Sequence, residues 1–376
     1  MVMLVILIVG GSALLLNSLS NTAIRTERDK ITANSLAQAK QALIGYATNN
    51  DPPGQLPCPE NTLAIGGPNE GSASGSCTLP AIGRLPWRTL GIGPLRDANG
   101  DLLWYAISQG FRTPPINSDS AAQLTVDGSV GSAVAIIFSV GPPINGQSRP
   151  IPTSSSPPLV AGYLDLSNND GDNTFITGGP DATFNDRLLL VTHKDLFDVV
   201  EKRVAKEVIN SLNEYFLANL FYPRPADFTD ANCLGSAIIT GVSCPSGATN
   251  KGRPPAHPST DWDPASLLNG ANSSSWFQTN GWRELVFYAV APACTNGTTN
   301  CSGAGYLTLN NPPGTVINNQ KVIVIATGNA TPAQLHSTGN KNTISNYLED
   351  ENLLPFDDTF TKKAASPFND IAISIP

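Results

Sequence analysis

The first sixteen residues, MVMLVILIVGGSALLL, carry no charge and almost no polarity. The chain then becomes polar without breaking into a loop. NSLSNTAIRTERDKITANSLAQAKQALIGYATNN has no Pro, and no Gly before Gly45. Within it Ala33, Leu36, Ala37, Lys40, Leu43, Ile44 and Ala47 recur at spacings of three and four, the period of one helix face. The pattern predicts a single helix of about 45 residues, apolar first and amphipathic after, roughly 65 to 70 Å long at the α-helical rise. Residues 1–19 alone are long enough to cross a bilayer, so a membrane span is expected there. Arg25, Arg28 and Lys30 follow it, and the positive-inside rule by itself keeps that side cytoplasmic.

Past residue 50 the period changes. Short runs rich in Val, Ile, Trp and Tyr, bounded by Gly, Pro, Asn or Asp, predict strands. They come twice in one order. Trp104-Tyr105-Ala106-Ile107 matches Phe287-Tyr288-Ala289-Val290, and Ala135-Ile136-Ile137 matches Val322-Ile323-Val324. Gly141 then matches Gly328, and Phe184-Asn185-Asp186 matches Phe368-Asn369-Asp370. The second copy opens with its own helix, expected over about 193–221. Thr192-x-x-Asp195 resembles a capping box, and Val200, Val204, Val208, Leu212 and Phe216 recur every four residues, opposite Lys202, Arg203 and Lys206. Loops without further long helices favour antiparallel pairing. The expected class is therefore α+β: a long N-terminal helix with a transmembrane first half, then a module of helix plus antiparallel sheet, present twice in tandem. The expected divisions are 1–50 for the helix, 51–191 for the first globular module and 192–376 for the second.

Composition narrows the setting. Only 14% of the residues are charged, against about 25% in an average soluble protein. A net charge of −8 excludes a nucleic-acid partner, which needs clustered Lys and Arg. Six cysteines fall as neighbours: Cys58 and Cys77, Cys233 and Cys244, Cys294 and Cys301. None forms a CxxC, and each pair brackets a Gly/Ser/Asn/Thr-rich stretch. Local pairing is the simplest of the connectivities open to six cysteines. Such usage points to an oxidising compartment and outweighs the basic residues after the span. The expected location is a membrane crossed once, with the globular part in the periplasm or outside the cell.

Little in the chain speaks for catalysis. There is no GxSxG, HExxH, P-loop or GxGxxG, so no enzyme is expected. His193, His257 and His336 read as solvated residues, and Asp97 and Asp101 as a turn between strands. The aromatics Trp87, Trp104, Tyr105, Trp276, Trp282 and Tyr288 read as core rather than as a sugar platform. The suggestive stretch is LDLSNNDGDNTF. Asp165, Asn168, Asp170 and Asp172 gather oxygen donors around Gly171, which suits a hard cation such as Ca²⁺; an Asx-rich turn is the alternative. The later YLEDENLLPFDD is its acidic counterpart. No cofactor is required.

Four motifs occur in order: ALIGYA at Ala42–Ala47, LPCP at Leu56–Pro59, LPWRTLG at Leu85–Gly91 and WYA at Trp104–Ala106. With the long helix and the cysteine-bracketed loops, they resemble type IV pilins and type II secretion pseudopilins, over about residues 1–191. The resemblance implies a structural subunit that packs through its N-terminal helix against other pilin or pseudopilin subunits. The partners would be those subunits, the inner membrane, and a secreted substrate or surface ligand. Some pseudopilins hold Ca²⁺ near their last strands, which adds weight to the acidic loop. The superfamily's processing signature, with its Glu at the fifth mature position, is not visible here, and a second globular unit adds bulk. Both point to a minor or tip component. The competing expectation is a single-pass periplasmic or surface adhesin that does not polymerise.

Overall fold

The structure, a computed structural model, describes residues 2–144, 146–230, 233, 249–256, 262–263, 266–270, 272, 274–295, 301, 305–336, 340–353, 358–362 and 368–376, the side chains of residues 2–21 excepted. The chain divides into two compact units. Unit 1 holds Met1–Tyr46, Leu56–Gln109 and Ala122–Thr192; unit 2 holds Ala47–Gln55, Gly110–Ala121 and His193–Pro376.

In unit 1, helix α1 (Val2–Asn49, of which unit 1 takes the part up to Tyr46) buries Leu36, Ala39, Leu43 and Ile44. Its Lys40 Nζ donates to the Leu190 carbonyl at 3.0 Å. The main sheet is antiparallel: β1 (Ala81–Arg84), β2 (Trp104–Ile107), β5 (Ala135–Ser139) and β7 (Arg187–Val191), in the order β1-β2-β5-β7. Strand β5, AIIFS, is buried along its whole length, which is why it reads as a continuous apolar run rather than an alternation. A second sheet has the order β4-β3-β6, from β3 (Leu124–Val126), β4 (Ser129–Ala133) and β6 (Thr174–Phe175). The two sheets share a core in which Trp104 meets Tyr163 at 4.9 Å and Phe138 meets Phe175 at 5.4 Å between ring centres.

In unit 2, α2 (His193–Asn219) buries Leu196, Phe197, Val200, Val204, Val208 and Leu212, packing on β12 (Val322–Ala326) and β14 (Ile371–Ile375). These strands continue through β9 (Val286–Val290) to β8 (Lys251–Gly252), in the order β14-β12-β9-β8. The companion sheet is β11-β10-β13, from β10 (Leu307–Asn311), β11 (Thr315–Gln320) and β13 (Thr359–Thr361). Short helices α3 (Trp276–Thr279), α4 (Trp282–Leu285) and α5 (Asp350–Leu353) complete it.

The segments 47–55 and 110–121 are integral to unit 2. Phe111, Ile116 and Ser118 are fully buried. The Ile116 amide donates to Asn280 Oδ1 at 2.7 Å, Asn117 Nδ2 to the Asn280 carbonyl at 2.6 Å, and Ser118 Oγ to Glu201 Oε1 at 2.8 Å. Arg203 on α2 donates to the carbonyls of Thr48 and Asn50 and to Asp51 Oδ1.

The two units repeat each other strand for strand. Gly83 faces Tyr105 and Gly252 faces Tyr288 in the ladders. Ala135–Phe138 pairs with β2 as Val322–Ile325 pairs with β9. Tyr105 donates its hydroxyl to the Pro57 carbonyl at 3.1 Å and Tyr288 to that of Pro223 at 2.9 Å. Strand β3 runs parallel to β6, and β10 parallel to β13.

Two expectations are overturned. Each unit was expected to carry one antiparallel sheet, yet each has two, and the smaller contains a parallel pair. The long acidic loops supply the crossover that parallel strands require. The transmembrane first half, and with it the single-pass inner-membrane location, is also corrected: among the described residues no helix is long and apolar enough to cross a membrane. From residue 22 onward α1 carries Arg25, Glu27, Arg28, Asp29, Lys30 and Lys40, too many charges for a hydrocarbon core. The apolar run 1–19 lies outside the described side chains.

Candidate functional site

The acidic loop of unit 1 does not gather its four oxygen-bearing residues around one point. Asp170 and Asp172 are exposed turn residues. Asp170 Oδ1 accepts the Asp172 amide at 3.1 Å and Asp172 Oδ1 the Thr174 amide at 2.5 Å, as in Asx turns. Asp165 and Asn168 face inward and are buried. They meet the FND motif that precedes β7. Asp186 Oδ2 accepts from the Asp165 amide and from Asn168 Nδ2, each at 2.9 Å. Asp165 Oδ2 accepts the Asn185 amide at 2.7 Å. Asn168 also brackets residue 176, accepting its amide at 2.9 Å and donating to its carbonyl at 3.3 Å.

Unit 2 builds the same cluster. Asp370 Oδ2 accepts from the Glu349 amide at 3.2 Å and Asn352 Nδ2 at 3.0 Å. Glu349 Oε2 accepts the Asn369 amide at 2.6 Å, and Asn352 brackets Thr361 at 2.8 and 3.1 Å. Beside them Asn185 donates to the Pro142 carbonyl and Asn369 to that of Asn329. Even the backbone repeats: Leu166 and Asp350 both adopt positive φ, at 46° and 43°, a conformation that non-glycine residues hold only where the surroundings over-determine it.

Chemically each cluster clips an acidic loop to the last strand of its main sheet. Burial dominates its electrostatics. Desolvation pushes the Asp186 carboxyl up to about 7, against the lowering effect of the Asn168 and Asp165 bonds. It pushes Asp370 well above the usual range. In both residues Oδ2 holds two donors while the buried Oδ1 has no partner. In both, burial favours the neutral carboxyl over the carboxylate, with Oδ2 as the acceptor of the two bonds. Among the described residues no group of three or more His, Cys, Asp or Glu could hold a metal ion.

The other expected residues are placed as follows. Cys58 bonds to Cys77 and Cys294 to Cys301. Cys233 is also disulfide-bonded, while Cys244 lies outside the described residues, as does His257. His336 is not solvated: its side chain is 4% exposed, with Nδ1 2.7 Å from Asp119 and its ring stacked on Tyr347. His193 stacks on Phe197 at 4.4 Å, and burial lowers its pKa. Trp104, Tyr105, Trp282 and Tyr288 are core residues. Asp97 and Asp101 close a turn, with Asp97 Oδ1 accepting the amides of Asn99 and Asp101.

Among the described residues two arginines are fully buried, and sequence reasoning missed both. Arg283 donates to the carbonyls of Pro254, Pro255 and Leu268, and burial lowers its pKa to about 9. Arg253 donates to the carbonyls of Phe228 and Lys341 and lies 4.1 Å from the Phe228 ring centre. Nothing in their spacing marks them. The paired clips did leave a signal, Y-L-acid-x-x-N before F-N-D, at Tyr163–Asn168 and again at Tyr347–Asn352.

No family model, curated protein or solved structure matches this chain.

Proposed function

We propose that this chain is a non-catalytic, pilin-like structural subunit that joins a filament of the type IV pilus or type II secretion kind through α1, as a minor or tip component. One observation carries the proposal: the way α1 is used. Its backbone is helical from Val2 to Asn49. Burial along its described side chains begins only at Thr32 and continues through Leu36, Ala39, Leu43 and Ile44. Residues 22–31 are exposed, and the sequence before them is apolar. An apolar run of this length is suited to packing against other apolar helices, and equivalent helices of neighbouring subunits supply them. The disulfides and the two clips suit the globular units to an oxidising exterior, since both pin loops that bury little apolar surface.

The test is fractionation of cells producing the tagged chain. Shearing should release it with high-molecular-weight filaments, in amounts well below the major subunit. Recovery only as a monomer, in cells whose filaments assemble normally, overturns the proposal.

A further inference from the structure

Unit 2 carries an open groove that assembly through α1 does not use. Its floor is one face of α2, where Glu207, Asn210, Ser211, Glu214, Tyr215 and Asn219 recur at spacings of three and four. At the helical rise this stripe runs about 18 Å. It borders the apolar stripe that packs on β12 and β14, so the same helix is core on one side and groove floor on the other. Two adjoining depressions, of about 600 and about 550 Å³, meet at Ser211, Glu214 and Ser266.

The groove has an indole toward each end. Trp276 stands near the Glu207 end, half-buried, with the Arg203 guanidinium 5.7 Å from its ring centre. Trp262 stands near the Asn219 end, its ring 4.8 Å from that of Tyr215. Trp262 is 6% exposed, and its Nε1–H has no acceptor, a costly state for a buried donor. Between the indoles the lining is mostly amide, hydroxyl and carboxylate, with Leu267 and Ala218 among them. Among the described residues, no Lys or Arg lines either depression. Arg203, beside Trp276, is committed to the Thr48 and Asn50 carbonyls and to Asp51.

That combination selects a ligand class. Lined by Asp51, Glu207, Glu214 and Asp263, the groove repels phosphate, sulfate and carboxylate polymers. Its amides and carboxylates can each engage more than one hydroxyl, and indoles offer flat apolar surface to C–H faces. Most of its lining side chains are polar or charged, which disfavours a greasy small molecule. We propose that this groove binds a neutral oligosaccharide, with Trp276 as the stacking platform and Glu214 and Asn210 as hydroxyl acceptors at its centre. The inference does not rest on filament assembly, and a monomeric chain would bind equally.

The test presents the full chain to an array of neutral, N-acetylated, sialylated and sulfated oligosaccharides, then titrates the best neutral binder by intrinsic tryptophan fluorescence. Retention of neutral glycans is expected, with little change between low and high salt. Trp276→Ala and the near-isosteric Glu214→Gln should each weaken binding at least tenfold, with the melting temperature of Glu214→Gln unchanged. Four results overturn the proposal: no glycan retained, retention of sulfated or sialylated glycans alone, salt-sensitive binding of spermine in place of glycan, or glycan affinity unaltered in Glu214→Gln.

Discussion

Asn168 donates its side-chain amide to Asp186 at 2.9 Å, and Asn352 does the same to Asp370 at 3.0 Å. The second bond occupies the position in unit 2 that the first holds in unit 1. Burial raises the Asp186 pKa to about 7, from an unfolded value near 4. Because the folded value is the higher one, the neutral clip stabilises fully below the unfolded pKa. Its contribution is then lost as pH rises through about 7. Asp186→Asn keeps an oxygen for both donors and removes the titration. The wild type should lose several degrees of melting temperature between pH 5 and 8. Asp186→Asn should flatten that slope; an unchanged slope would assign the pH dependence elsewhere.

Gly328 shows how closely the clip is packed. A Cβ there would lie 2.6 Å from Asn369 Cγ, and at Gly141 2.8 Å from Asn185 Cγ. Gly328→Ala should cost about 1–3 kcal/mol by overpacking, measured by urea unfolding. Gly75→Ala, with nothing within 4 Å of its Cβ, should cost less than about 1 kcal/mol.

Ile116 reports on the segment that the chain lends to unit 2. It is fully buried, and its amide holds Asn280 Oδ1. Ile116→Ala should destabilise by about 2–5 kcal/mol. Limited proteolysis should then show cleavage appearing first in unit 2, after His193, rather than among residues 122–192. Protection of both regions equal to the wild type would show that the segment contributes little to that unit.

The bond between Cys58 and Cys77 closes a loop across a sequence separation of 19. Replacing both with Ser should cost about 3 kcal/mol if chain entropy governs. Calorimetry of the double variant reads the loss directly.

What could be seen in the sequence followed from periodicity. WYAI and FYAV, AII and VIV, and the two FND motifs were visible because buried strands and their flanking turns leave apolar runs with sharp ends. The smaller sheets were not visible. Strand β6 is only Thr174–Phe175, and its parallel partner β3 lies about a third of a module away. The segments 47–55 and 110–121 were assigned by proximity in sequence, yet their Pro-rich stretches carry no period that could reveal unit 2 as their place. The acidic loop shows a deeper limit. Asp165 and Asn168 look the same in sequence whether their oxygens hold a cation or hold Asn185 and residue 176.

The proposed function requires the exposed part of α1 to pack against the helices of neighbouring filament subunits. Ile24 is 55% exposed on that stretch, and Leu159 is 74% exposed in unit 1. No cysteine among the described residues is free, so a thiol introduced at either place is distinguishable by its reactivity. In cells producing Ile24→Cys, a short thiol-to-amine cross-linker should join this chain to another filament subunit, while Leu159→Cys should yield no such product. Equal cross-linking from the two positions, or none from Ile24→Cys in cells with intact filaments, would contradict assembly through α1.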